Sequence, residues 1–289
     1  MRQVFSPRQV ARAIGASESS IKRWCDRGVL PTIKTAGGHR RLPIAGILDF
    51  VRTENHQLAH PEILGLPSDL GNVPHSIEEA EQRFKQSLVQ GDYAESRRLV
   101  LQLFLAQTPI GRMFDRVFAP TFHSMGEDWC DGNLEIFEER RGCELATRLI
   151  YELRSMMKLP GETAPSAMCA SGEGDFYELP PRMVELVLVE NGWNAAPLGS
   201  GIPFESMVRA VERHSPRLFC LSVSHIEDQT EFVKQYPRLR EACGSKTALV
   251  VGGRALTEEI REQMEYTAYG ENLQRLSSLV QAFHDPSSS

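Results

Sequence analysis

The sequence predicts a multidomain chain of α followed by α/β architecture, and three observations predict it. Short helical segments with capping residues and glycine stops crowd residues 1–56. From Ser76 to about Leu159 the patterning stays helical throughout. Beyond residue 163, short apolar and partly β-branched runs alternate with helical stretches of about a dozen residues, the spacing of βαβ units in a parallel sheet. A length of 289 residues suits two domains or three small ones. Hydrophobic residues at 41% and charged residues at 24% place the chain among ordinary globular proteins.

The head comes first. Ser6 followed by Pro7 caps and opens a helix that Gly15 closes. Ser17 caps a second helix, with Ile21 and Trp24 on one face, Ser19, Ser20, Lys22 and Arg23 turned outward, and Gly28 at its end. Two short helices about a tight glycine turn form a helix-turn-helix unit, whose second helix belongs in a DNA major groove. A Gly37-Gly38 turn between short extended segments then carries His39, Arg40 and Arg41 before a further helix. Residues 57–75, rich in Pro, Gly, Asn and Ser without periodicity, read as a linker.

The middle segment, 76–160, opens with Ser76 and Glu79 in capping-box spacing. Asp92, Thr108 and Asn133 are candidate starts of three more helices, and four helices with short connections pack naturally as a bundle. In the last segment, 161–285, the runs SAMCAS, NAAPLGS, LFCLSVS, TALVVGG and YTAYG are candidate strands. Candidate helices cover roughly 179–192, 203–214, 228–243, 256–265 and 271–284. This alternation predicts a doubly wound parallel sheet, flavodoxin-like or Rossmann-like, with ligands beyond the carboxyl ends of its strands. Residues 286–289 read as a disordered tail.

Charge is unevenly distributed. Residues 1–56 hold ten Lys and Arg against four acids, a net of +6, which leaves −12 for the rest of a chain totalling −6. A basic head on an acidic body suits a module that binds a polyanion joined to one that does not. Six scattered cysteines without a CxxC pair, no export signal and no membrane-length apolar run predict free thiols in a reducing cytoplasm.

The stretch from Arg27 to Pro31 together with Gly37-Gly38-His39-Arg40-Arg41 resembles the MerR-type winged helix over about fifty residues. That resemblance implies Lys22 and Arg23 on bases or phosphates, and His39, Arg40 and Arg41 on the backbone near the minor groove. Residues 125–142, with the α/β half, resemble the sensor of light-responsive, cobalamin-dependent MerR-type repressors and, more distantly, the cobalamin modules of methionine synthase. Trp129, Gly132 and Glu139 match the bundle motif, in which the Trp shields the upper face of the corrin. Cys130 and Arg140 stand where the motif carries histidines. After the first strand, Asp175 matches the family's Asp/Glu-x-His-x-x-Gly signature, but Tyr177 replaces the cobalt-ligating His and Pro180 replaces the Gly. Ser222 and Ser224 match the serine-bearing third strand, and Gly252 and Gly253 match the glycines that let backbone approach the cofactor.

The resemblance implies a DNA-binding transcription regulator, a repressor, with a cobalamin-type sensor and no metal ligand of its own. Tyrosine, with an ordinary pKa of about 10, is a poor cobalt ligand at neutral pH. Three readings of the sensor follow. It is an interaction and oligomerisation module, a cobalamin site without a protein ligand, or a haem site with Cys130, His123 or Tyr177 as axial donor. The expected partners are promoter DNA, further copies of the chain and a regulatory protein. No catalytic residues are expected. GEGD lacks a phosphate-loop register, Glu138 and Glu139 point about 100° apart on a helix, and His214, His225 and His284 fall at helix ends or loops.

Overall fold

The computed structural model describes residues 3–70 and 74–284. The 286–289 tail, Arg2 and residues 71–73 of the 57–75 stretch lie outside the described residues. The chain forms two compact units, one from Met1–Pro109 with Arg116–Lys158, the other from Ile110–Asp115 with Leu159–Ser289.

The first unit begins with β1 (Val4–Phe5), α1 (Pro7–Ile14) and α2 (Glu18–Asp26). Ser6 and Gln9 form a reciprocal capping box, Gly15 ends α1 at φ +75°, and the Ser17 hydroxyl accepts from Ser20 N–H at 3.1 Å. Short strands β2 (Ile33–Lys34) and β3 (Arg40–Pro43) pair antiparallel, and β1 joins the other edge of β3. α3 (Ile44–Thr53) follows. Val10, Ala13, Ile21, Leu30, Leu42, Ile47 and Leu48 are buried together as the core of this head.

Four longer helices complete the unit: α4 (Ile77–Gln90), α5 (Tyr93–Leu105), and, after the single turn α6 (Ile110–Met113) and a π-helical turn, α7 (Ala119–Cys130) and α8 (Ile136–Met156). Ser76 caps α4 as expected, but the Glu79 carboxylate reaches back to His75 N–H at 2.8 Å rather than to Ser76. The start expected at Asn133 moves to Ile136. Asn133 N–H is held in a turn by Asp128 O at 2.7 Å, and Glu135 with Glu138 makes the capping box instead. Phe84 and Phe118 pack in the core with tilted rings, centroids 4.6 Å apart, and the Arg97 guanidinium forks onto Glu152 at 2.7–3.0 Å.

The second unit carries the five expected parallel strands, β4 (Ser166–Gly172), β5 (Asn194–Ile202), β6 (Leu218–Ser222), β7 (Ala248–Gly252) and β8 (Ala268–Gly270), in the order β5-β4-β6-β7-β8. Between and after them run α9 (Leu179–Glu190), α10 (Phe204–His214), α11 (Gln229–Cys243), the one-turn α12 (Glu258–Arg261) and α13 (Leu273–His284). Alternation along the strands sends Met168, Ala170, Phe219, Leu221, Leu249 and Val251 to the face covered by α10, α11 and α12. Cys169 and the α9 helix meet on the other face, where the thiol donates to Pro181 O at 3.4 Å. The helix expected over 256–265 shrinks to four residues because the chain must turn at once to feed β8, with Thr267 N–H on Leu249 O at 2.8 Å. Asp115 caps α13, accepting from Leu273 N–H and Gln274 N–H at 2.9 Å each.

Candidate site at the carboxyl edge of the sheet

The strand order places the topological switch between β4 and β6, where chain connections leave in opposite directions, the place at which sheets of this kind bind ligands beyond the carboxyl ends. The loop after β4 supplies Asp175, which is fully buried. Its Oδ2 accepts from Ser224 N–H at 2.6 Å and His225 N–H at 3.3 Å, and its Oδ1 accepts from Tyr177 N–H at 3.2 Å. Its carbonyl accepts from Gly201 N–H at 2.9 Å. One residue therefore ties the loops after β4 and β6 to the end of β5. Burial raises the Asp175 pKa above its ordinary value, and the three N–H donors pull it back down.

Tyr177, in the position where the resemblance expects a cobalt-binding imidazole, is about half exposed. Its hydroxyl accepts from Arg254 Nη2 at 3.3 Å, the guanidinium carbon lies 5.2 Å from the ring centroid, and Arg254 Nε donates to Ser224 O at 3.2 Å. Phe176 is 77% exposed, and its ring edge lies against Gly201, where an added Cβ would come within 3.1 Å of the ring. Sequence reasoning missed Phe176 and Arg254 and set His225 aside as a solvated histidine. Phe176 is adjacent to a matched Asp and Arg254 follows a matched Gly pair, which was the available signal.

Gly252 and Gly253 lie close against neighbouring backbone. A Cβ on Gly252 would meet Gly270 O at 2.6 Å, and one on Gly253, at φ +113°, would meet Val223 O at 2.2 Å. Their lack of a Cβ lets the end of β7 lie close to the end of β8 and to the residue after β6. Ser222 is buried at the end of β6, in register with the fully buried Ser171 of β4, whose hydroxyl lacks a hydrogen-bond partner among the described residues.

In the first unit Trp129 is 48% exposed at the end of α7. Glu139 accepts from the Cys143 thiol at 3.3 Å and pairs with Arg140 at 3.5 Å. Burial, the largest cause, pushes the Cys143 thiol up to about 12. Cys130 is exposed, and His123 is paired with Glu127 at 3.3 Å. Among the described residues no cluster of three or more His, Cys, Asp or Glu is disposed to hold a metal ion.

The expected DNA-facing residues divide. Ser19 and Ser20 hydroxyls bond to the Ser17 hydroxyl at 2.8 and 2.9 Å, Lys22 pairs with Glu18 at 2.8 Å, and Arg40 pairs with Asp26 at 2.6 Å. Arg23 and His39 are exposed, and Arg41 is half-buried with its guanidinium on Arg40 O at 3.2 Å.

No family model matches the chain. A methanol–corrinoid protein from Methanosarcina barkeri is 26% identical over 110 residues, 38% of this chain and 42% of that protein, so the match spans under half the length of that relative. The solved monomethylamine corrinoid protein of Methanosarcina barkeri superimposes with a TM-score of 0.60 at 16% identity, over 71% of this chain and 99% of that one. A methanol:cobalamin methyltransferase complex from the same organism matches with a TM-score of 0.37 at 17% identity, over 79% and 86%. The second unit with its helical partner segment thus has the fold of a corrinoid protein.

These findings correct the expected partner. The methanol–corrinoid and monomethylamine corrinoid proteins that this chain resembles do not support promoter DNA as a partner, so that expectation and the transcription-regulation reading built on it fall. The self-association and regulatory-protein readings fall with them. The physical reason is local. Two of the side chains expected to face DNA are engaged within the head, Lys22 with Glu18 and Arg40 with Asp26. Among the described residues no helix is long and apolar enough to cross a membrane.

Proposed function

We propose that this chain is a corrinoid-binding protein that holds its ligand at the carboxyl edge of the second unit, with chemistry on the ligand left to another protein. The observation that carries the reading is the edge itself. Asp175 pins two loops and the end of β5 at the switch point, and Phe176 and Tyr177 offer exposed aromatic surface, Phe176 beside Gly201 of β5. A flat macrocycle with apolar faces and an amide fringe suits such a surface: aromatic rings take the face, and exposed backbone and the Ser224 hydroxyl take the amides. The name of the matched relative, a methanol–corrinoid protein, and the shared fold support the same reading.

The residues present fit a corrinoid held by contacts. They do not fit one held by an imidazole from position 177, because Tyr177 occupies it and its hydroxyl already accepts from Arg254. Tyr177, Ser224 and Phe176 are the proposed contacts, and Asp175 is a positioning residue. For residues 3–56 we propose a winged helix-turn-helix fold, supported by the two capped helices about Gly15 and the hairpin at Gly37-Gly38, with no partner assigned to it.

The test is direct. Full-length protein is incubated in the dark with hydroxocobalamin, passed over a desalting column and read by absorbance. The expected result is corrin absorbance eluting with protein at about one per chain. Protein that emerges colourless after incubation with a large excess of hydroxocobalamin removes the proposal.

A further inference from the structure

Three features of the second unit bear on how a corrinoid would be held there, an argument that rests on the proposed function. The first is that Asp175 is spent. A carboxylate beside a metal-binding imidazole ordinarily accepts that ring's second N–H and so orients it. Here the carboxylate accepts from backbone N–H groups, those of Tyr177, Ser224 and His225. Those bonds also hold the loop after β4 to the loop after β6, across the switch point.

The second feature is the state of Tyr177. A metal seeking its oxygen would have to displace or sit against a guanidinium, since Arg254 donates to that oxygen and lies over the ring. Cation beside cation at that distance is unfavourable. The third feature is the ledge itself: Phe176, 77% exposed and braced on Gly201, then Tyr177, then Arg254. Two aromatic rings and a guanidinium match a planar aromatic base followed by a phosphodiester. A guanidinium has five N–H donors, and the Ser224 and Tyr177 bonds employ two of its nitrogens.

Complete cobalamin carries that combination in its own tail, a benzimidazole next to a phosphodiester. We infer that the chain binds cobalamin with its own benzimidazole base on cobalt, and that Phe176, Tyr177 and Arg254 recognise this base and its neighbouring phosphate. The protein then supplies no axial ligand from this side. His225 offers the competing nitrogen donor: its backbone N–H is on Asp175, and its side chain is exposed at the same edge.

The experiment is electron paramagnetic resonance of the full chain loaded with cob(II)alamin, prepared with natural and with ¹⁵N-labelled benzimidazole. The expected result is a three-line nitrogen splitting on each cobalt line that becomes two-line with the labelled base. A three-line pattern that survives labelling assigns the nitrogen to the protein and overturns the inference, and its loss in His225→Ala would name the donor. Absence of any nitrogen splitting overturns it too, in favour of an oxygen ligand.

Binding gives an independent arm. Cobinamide, which lacks base and phosphodiester, is expected to bind at least about tenfold more weakly than cobalamin. Phe176→Ala is expected to weaken cobalamin about tenfold more than it weakens cobinamide, since only cobalamin carries the base that this ring would stack on. Equal affinity for the two corrinoids overturns the inference while the corrinoid reading stands. Displacement of cobalamin by equimolar adenosine monophosphate overturns it in favour of a plain nucleotide site. Failure to retain either corrinoid removes both.

Discussion

Asp175 shows how much one buried carboxylate can organise. Replacing it with Asn keeps the shape but turns an NH2 group toward backbone N–H donors. The loss should cost about 1–3 kcal/mol of second-unit stability, read from urea unfolding followed by the fluorescence of buried Trp193. An unchanged midpoint would show that the three N–H groups find equal partners elsewhere. The pH dependence has a definite sign. Burial holds the native Asp175 pKa above the ordinary value, so the folded state binds the proton more tightly than the unfolded one. Its contribution is therefore fully present below the unfolded pKa and declines as pH rises through the native value. The wild-type advantage over Asp175→Asn should be smaller at about pH 7 than at about pH 4, with other acids cancelling in the comparison. Asp175 and Tyr177 were legible in the sequence through the motif around them. Arg254 was not, because it meets Tyr177 across 77 residues and only the sheet order brings the two together.

At the scale of elements, the glycines of the carboxyl edge are unequal. Gly253→Ala forces a left-handed φ on a residue with a Cβ and drives that atom to 2.2 Å from Val223 O. Gly172 has no positive φ, and an added Cβ would meet nothing within 4 Å. Gly253→Ala should destabilise the second unit by at least about 2 kcal/mol, and Gly172→Ala should change it by less than about 0.5 kcal/mol. Similar urea midpoints for the two variants would contradict the assigned role of Gly253. The strands were legible because buried parallel strands read as apolar runs bounded by turn residues. Helix starts at Ser6, Ser17, Ser76 and Asp92 were legible because each carries a side chain that accepts the orphan N–H groups. The short α12 was not, since the constraint that ends it is the strand waiting after it.

For the whole molecule, charge asymmetry was the most visible sequence feature and the least informative about partners. It counts residues and ignores who pairs with whom. Thiol chemistry is easier to foretell at this scale, since burial separates the six cysteines. Cys130 is exposed, while burial pushes Cys143 and Cys220 up to about 12, Cys243 up to about 11, and Cys169 and Cys25 upward. Only the thiolate is alkylated, so iodoacetamide at about pH 8 should add a single label to native protein, at Cys130, as mapped by mass spectrometry. Rapid labelling of two or more sites would contradict the burial described.

The Asp115 cap on α13 also has a consequence for how this protein is born. Asp115 leaves the ribosome 158 residues before Leu273, the amide it will hold. Throughout that interval the nascent chain carries a finished acceptor with no donor yet synthesised. The second unit thus cannot complete itself as its strands emerge one by one. Helix α13 must return to a segment made before any of the strands, so closure waits on the synthesis of Leu273.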